Sequence, residues 1–153
     1  MRLYRIARAR YAMDLSGEGA RLYGGRWTPP GFPALNTSEH PALAAWENAA
    51  HFGLQEPVAP LEFRLIELVV PTEAAANILD VSSIPHDPVS VGRDWLQNRA
   101  NDLGMMRVPS VVIPLSWNII INPRHPDAGQ ITATDHGAFV FDVRLPFAKD
   151  PSP

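Results

Sequence analysis

The chain has 153 residues, 46% of them hydrophobic and 19% charged, which is the size and balance of one globular domain rather than a disordered or membrane-embedded segment. A formal net charge of −3 gives no global basic field to draw it onto nucleic acid, and the absence of cysteine excludes disulfides and thiolate metal sites. No run is long and apolar enough to span a bilayer, and Met1–Arg10 has no apolar signal-peptide core, so a cytoplasmic location is expected. Lys149 is the only lysine. The bias to arginine suits bidentate phosphate binding, but genome composition would produce it equally well.

Sixteen prolines, most of them clustered at 29–33, 57–60, 85–88, 123–126 and 146–153, divide the chain into many short elements. Leu3–Ala7 is expected as the first strand. Ser16–Tyr23 is glycine-rich and reads as a loop or short helical turn, Arg26–Gly31 as a turn, and Ala34–Thr37 as a short strand. Ser38 is the expected N-cap of a helix running from Glu39 to about His51, with Pro41 in its first turn and Gly53 as its stop. Leu61–Val70 alternates and then turns wholly apolar, the clearest strand pattern. A short helix over Thr72–Leu79 and a second helix over Val91–Asp102, with Trp95 and Leu96 inward, are followed by apolar strands over Val108–Pro114 and Trp117–Ile121. Strict alternation over Phe139–Leu145 marks the last strand. The pattern is α+β, a single domain over 1–145 with a tail at 146–153, and without βαβ alternation.

Three constellations can carry chemistry. In Gly24-Gly25-Arg26-Trp27 the glycines permit close backbone approach, and an arginine just after them can be held against a phosphate, although such a sequence also serves as a plain turn. Leu43, Glu47 and His51 recur at helical spacing with Ala50 on the same stripe, which turns Glu47 toward the body of the protein; a surface Glu–His pair is the competing reading. Ser110, expected inside an apolar strand, needs a hydrogen-bond partner, whether backbone or functional. Asn122-Pro123 can start a turn. The five histidines show no metal-ligand spacing, so no metal is expected.

Taken in order, these motifs resemble the RES-domain toxin family. Arg5 in Tyr-Arg-Ile, Gly24-Gly25-Arg26-Trp27 with Pro-Pro-Gly, and Thr37-Ser38-Glu39 leading to Glu47 are similar to its first half. Val108-Pro109-Ser110, Asn122-Pro123-Arg124-His125-Pro126 and Phe141-Asp142-Val143-Arg144-Leu145 are similar to its second. The resemblance implies an ADP-ribosyltransferase-like fold of mixed sheets with a few short helices, and NAD⁺ as the substrate. It further implies transfer of ADP-ribose to a protein, a phosphoribosyl pyrophosphate synthetase in one branch, with simple NAD⁺ degradation as the alternative. On the residues alone, a different enzyme or an inactive binding module on this scaffold also stays open. The family's Arg, Glu and Ser correspond to Arg26, Glu47 and Ser110. Glu47, His51 and Ser110 are the catalytic candidates, and Arg5, Tyr23, Arg26 and Asn36 the candidates for gripping NAD⁺. Asn36 stands where many members carry a tyrosine that lines the pocket, and Thr28 replaces a common asparagine or serine. The implied partner is an Xre/ParS-like DNA-binding antitoxin that covers the active site.

Overall fold

The computed structural model describes residues 1–52, 62–99 and 102–142. The expected stop at Gly53, the prolines at 57–60, the strand start at Leu61, and the residues from Val143 through the tail at 146–153 lie outside the described residues. Among the described residues, seven strands form one mixed sheet: β1 (Arg2–Arg8), β2 (Leu35–Ser38), β3 (Phe63–Val69), β4 (Ile78–Asp80), β5 (Met105–Pro109), β6 (Trp117–Ile121) and β7 (Thr132–Phe139). Their spatial order is β4-β5-β6-β2-β1-β3-β7, antiparallel throughout except for the parallel pair β4–β5. The helices α1 (Glu18–Tyr23), α2 (Pro41–Phe52), α3 (Thr72–Ala75) and α4 (Pro88–Asp94) are short. The α+β class is as expected, with the described strands joined in one sheet rather than several. No described helix is long and apolar enough to cross a membrane.

Strand alternation divides the core in two. Ile119 and Ile121 of β6 pack with Leu3, Leu35, Ile66, Leu68 and Met105 on one face. Ile120 points to the other, against Met106, Val108, Trp27 and Trp95. A central strand buried on both faces is why Ile119–Ile121 reads as a continuous apolar run.

Several elements differ from the sequence expectation, each for a visible reason. Ser38 is not the cap of α2: it belongs to β2, its hydroxyl bonds to Asn118, and the helix begins at Pro41 with His40 Nδ1 accepting the Ala42 N–H at 3.1 Å. Ala50 is exposed rather than part of a buried stripe, whose inward residues are Leu43 and Ala44. The helix expected over Thr72–Leu79 stops at Ala75, because Ile78–Asp80 pairs in parallel with Met105–Arg107 and Asp80 bonds Arg107. The second long helix starts earlier, at Pro88, capped by Asp87 accepting from the Ser90 N–H and hydroxyl, and continues as a π-helical turn over Trp95–Arg99. Trp95 is fully buried, its indole N–H donating to the Leu103 carbonyl at 2.7 Å. β5 begins upstream of the expected Val108–Pro114 and ends at Pro109, before Ser110. The last described strand, β7, ends at Phe139, so of the strand expected over Phe139–Leu145 the described residues beyond Phe139 are not in a strand; Phe141 folds edge-on against Phe139 and Phe63.

Gly92 of α4 lies tight against the loop at Trp27. A Cβ at this position would overlap the carbonyl oxygen of Trp27, so the helix lies directly on the backbone of the loop that carries Arg26. A Gly92→Ala substitution would ordinarily stabilise a helix by up to about 1 kcal/mol. Here the overlap forces helix and loop apart, and overpacking of this kind costs roughly 1–3 kcal/mol. We expect thermal denaturation to show a lower Tm for Gly92→Ala; a raised Tm would mean that this contact does not form.

Candidate active site

A cleft of about 760 Å³ opens on the sheet face that carries Val108, Asn118 and Ile120. Its walls come from β1, β2, α2, α1 and the turn after α1. This volume lies in the range of pockets for small molecules and cofactors. Arg5, Tyr23, Arg26, Asn36, Glu47 and His51 all line it.

The turn after α1 is built to display Arg26. Gly24 has φ +69°, and a Cβ there would sit 2.9 Å from Pro30 Cδ, so a side chain is excluded both by conformation and by space. Gly25 and Thr28 exchange backbone hydrogen bonds, at 2.8 Å for Gly25 N–H to the Thr28 carbonyl and 3.4 Å for the return. Trp27 is buried in the core and anchors the turn, while its neighbour Arg26 is exposed on the cleft side. Tyr23, the last residue of α1, is 83% exposed at the cleft edge. Asn36 faces the cleft from β2, opposite Ile120.

Arg5 on β1 is half-buried, and its guanidinium donates to the Asp14 carbonyl oxygen at 2.9 Å. Burial lowers its pKa, opposed by the charge of Asp14; an arginine so placed still carries its proton at neutral pH. Asp14 is itself held below the usual carboxylate range, first by hydrogen bonds from Ser16 and to a lesser degree by Arg5. Arg8 and Arg10 also reach the cleft, Arg10 lying over the ring of Tyr11 at 4.6 Å from its centroid. A protein of net charge −3 thus gathers four arginines around one cavity.

Glu47 projects from α2 toward the sheet. Its Oε1 accepts from Ser110 Oγ at 2.7 Å and from Asn118 Nδ2 at 2.6 Å. Ser110 does not line the cleft. It stands behind Glu47, one residue beyond β5, and its Oγ also accepts the N–H groups of Val112 and Ile113 at 3.1 and 2.9 Å. With one proton given and two lone pairs filled, this hydroxyl has no capacity left for another partner. His51 lines the cleft one helical turn beyond Glu47. Among the described residues, no group of three or more His, Cys, Asp or Glu comes together to hold a metal ion.

Sequence reasoning did not single out Asn118. The available signal was a polar residue inside the buried run Trp117–Ile121, where an amide must find partners. The motif Asn122-Pro123-Arg124-His125 lies outside the cleft and shapes a corner of the fold. Asn122 Oδ1 accepts from the Arg124 N–H, Asn122 N–H donates to the Gly104 carbonyl, and the buried His125 ring packs where a Cβ on Gly104 would come within 2.8 Å.

Comparison with known proteins matches this chain to one family. The family model described as the RES domain matches residues 2–142. A Prs ADP-ribosylating toxin of Sphingobium sp. (strain YBL2) is 35% identical over 150 residues, covering 91% of each chain. Toxin Res of Photorhabdus laumondii is 34% identical over 160 residues, covering 97% of this chain and 99% of its own. Among solved structures, the M. tuberculosis MbcT-MbcA toxin-antitoxin complex contains a chain that superposes with a TM-score of 0.58 at 21% identity, over 88% of this chain and 82% of that one; it shares the fold. With the family model and both relatives spanning nearly its whole length, the chain belongs to the RES-domain family.

Proposed function

We propose that this chain is the toxin of a toxin–antitoxin pair and an enzyme that takes NAD⁺ as substrate, breaking its nicotinamide–ribose bond and passing ADP-ribose to a protein. The observation that carries this reading is Glu47, held by two hydrogen bonds in the wall of an arginine-lined cleft. The name of the Sphingobium relative supports the chemistry and suggests the acceptor, a phosphoribosyl pyrophosphate synthetase.

The bond from ribose C1′ to the nicotinamide nitrogen breaks with its electron pair leaving on neutral nicotinamide, so positive charge develops on the sugar, as in glycoside cleavage. Oε1 of Glu47 is occupied, and Oε2 is the oxygen left to answer that charge and hold the ribose hydroxyls. Arg5 and Arg26 supply cations for the pyrophosphate, Asn36 offers a polar edge in place of an aromatic wall, and Tyr23 offers a ring at the lip. An acceptor nucleophile then bonds to C1′ and surrenders a proton, for which His51 is the candidate base. Ser110 acts through Glu47, which it positions.

Purified Glu47→Gln tests the reading. Glutamine's carbonyl oxygen can still accept both hydrogen bonds, so Tm should hold. Nicotinamide release should fall by roughly 10²–10³-fold, by analogy with loss of one electrostatic stabiliser, and growth arrest on expression should disappear with it. A stable Glu47→Gln protein with parental turnover would remove this mechanism. Labelled NAD⁺ in cell lysate should leave label on a protein; label recovered only in small molecules would mean that water is the acceptor. Arg26→Ala should weaken NAD⁺ binding with little change in Tm, and Arg26→Lys should not restore it, because only guanidinium offers a bidentate fork; a lysine variant that binds like the parent would refute that account. For the partner, we infer an Xre/ParS-like antitoxin that occludes the cleft. Titration should show NAD⁺ binding to free toxin and not to the purified complex; equal affinity for both would place the block elsewhere.

A further inference from the structure

We infer that Asn118 is a positioning residue for Glu47, and that Ser38 sets the orientation in which Asn118 works; this rests on Glu47 being the carboxylate that meets the substrate. Asn118 Nδ2 donates to Glu47 Oε1 at 2.6 Å, and Asn118 Oδ1 accepts from Ser38 Oγ at 2.7 Å. Directionality follows from chemistry alone. A carboxylate only accepts, so the amide must turn its NH₂ toward Glu47. Its oxygen then faces Ser38, whose hydroxyl must donate. Ser38 is 3% exposed, so water does not readily take its place. Without that donor the amide could rotate and bring its oxygen against the carboxylate.

The backbone places these groups by register. Ser38 of β2 stands directly across from Asn118 of β6, and Val108 of β5 stands across from Asn118 on the other side. Directly opposed residues on one sheet face lie within side-chain reach. Ser110 and Asn118 reach Glu47 from two separate segments and converge on a single oxygen, which fixes the carboxylate's rotation as well as its position. The same pairing gives Ser38 a task that its place just ahead of a helix does not suggest.

The test is steady-state nicotinamide release from NAD⁺, with Tm measured on each sample, for Asn118→Ala, Asn118→Asp, Ser38→Ala and the Ser38→Ala/Asn118→Ala double variant, beside Glu47→Gln. Misplacement of a reacting group by about 1 Å can cost on the order of 10²-fold. Asn118→Ala should therefore lose kcat by about that factor while KM stays within about threefold. Asn118→Asp keeps the shape but replaces the donor with a second carboxylate, and should be at least as slow; a packing role would be preserved by it. Ser38→Ala should lower kcat less, and should have no further effect in the Asn118→Ala background, since it acts only through the amide. Parental kcat in Asn118→Ala or Asn118→Asp, or a Ser38→Ala effect that multiplies fully in the double variant, overturns the inference. If Glu47→Gln itself turns over at the parental rate, the underlying reading fails first, so the two failures are told apart.

Discussion

A carboxylate set into the wall of a protein cleft must be given hydrogen bonds, because part of its hydration is gone. Much of this structure follows from how Glu47 meets that demand. Its helix cannot supply the donors, since every N–H beyond the first turn is committed to a carbonyl. They come from the sheet, through Asn118 on β6 and Ser110 at the end of β5. That requirement docks α2 on the sheet in one rotation and one axial position. A bond from Asn48 Nδ2 to the Ile6 carbonyl at 3.0 Å locks the same helix onto β1. The segment after β5 is drawn in as well, through the two N–H groups that Ser110 accepts.

The opposite wall works on another principle. Arg26 is displayed by a turn whose shape is set by backbone alone: a left-handed glycine, a reciprocal pair of backbone bonds, and a glycine in α4 against which the loop rests. Trp27 supplies the hold on the core. Arg5 is intermediate between the two designs, a half-buried cation tied to a carbonyl near the edge of the cleft. The site therefore pairs a rigid anion, fixed by side chains, with cations of graded freedom. Net charge conceals this arrangement, since four of the twelve arginines line the cleft, beside Asp14, Glu18 and Glu47, while most of the acidic residues lie elsewhere in the chain.

Much of this was legible in the sequence. The first strand, the apolar run over Trp117–Ile121 and the helix bearing Glu47 announce themselves through their residue pattern, and every proposed ligand-gripping residue lines the same cleft. What escaped was set by partners distant in sequence. Ser38 looks like a helix cap because Ser-Glu-x-Pro is a common start, but its hydroxyl goes to a residue eighty positions away. Ile78–Asp80 looks helical until β5 offers a parallel edge. β7 has only small or polar residues over most of its length, Thr-Ala-Thr-Asp-His-Gly-Ala, so its alternation carries little apolar contrast and the aromatic stretch after it draws the eye. Asn118 was hidden by the very apolar run that gives it a fixed place. The true start of α4 was readable, in Asp87-Pro88 with Ser90, and was outweighed by the tryptophan further on.

The turn that carries Arg26 has a consequence for how this site can change over generations. Because its shape resides in glycines and main-chain bonds, the side chain at position 26 is not asked to hold anything together. Substitutions there can accumulate in a chain that still folds. At Asn118 and Ser110 the same drift would disturb the docking of a helix on a sheet. Loss of activity by point substitution thus has two routes of different character, one removing a group on which nothing else depends and the other loosening the hold of the sheet on the carboxylate.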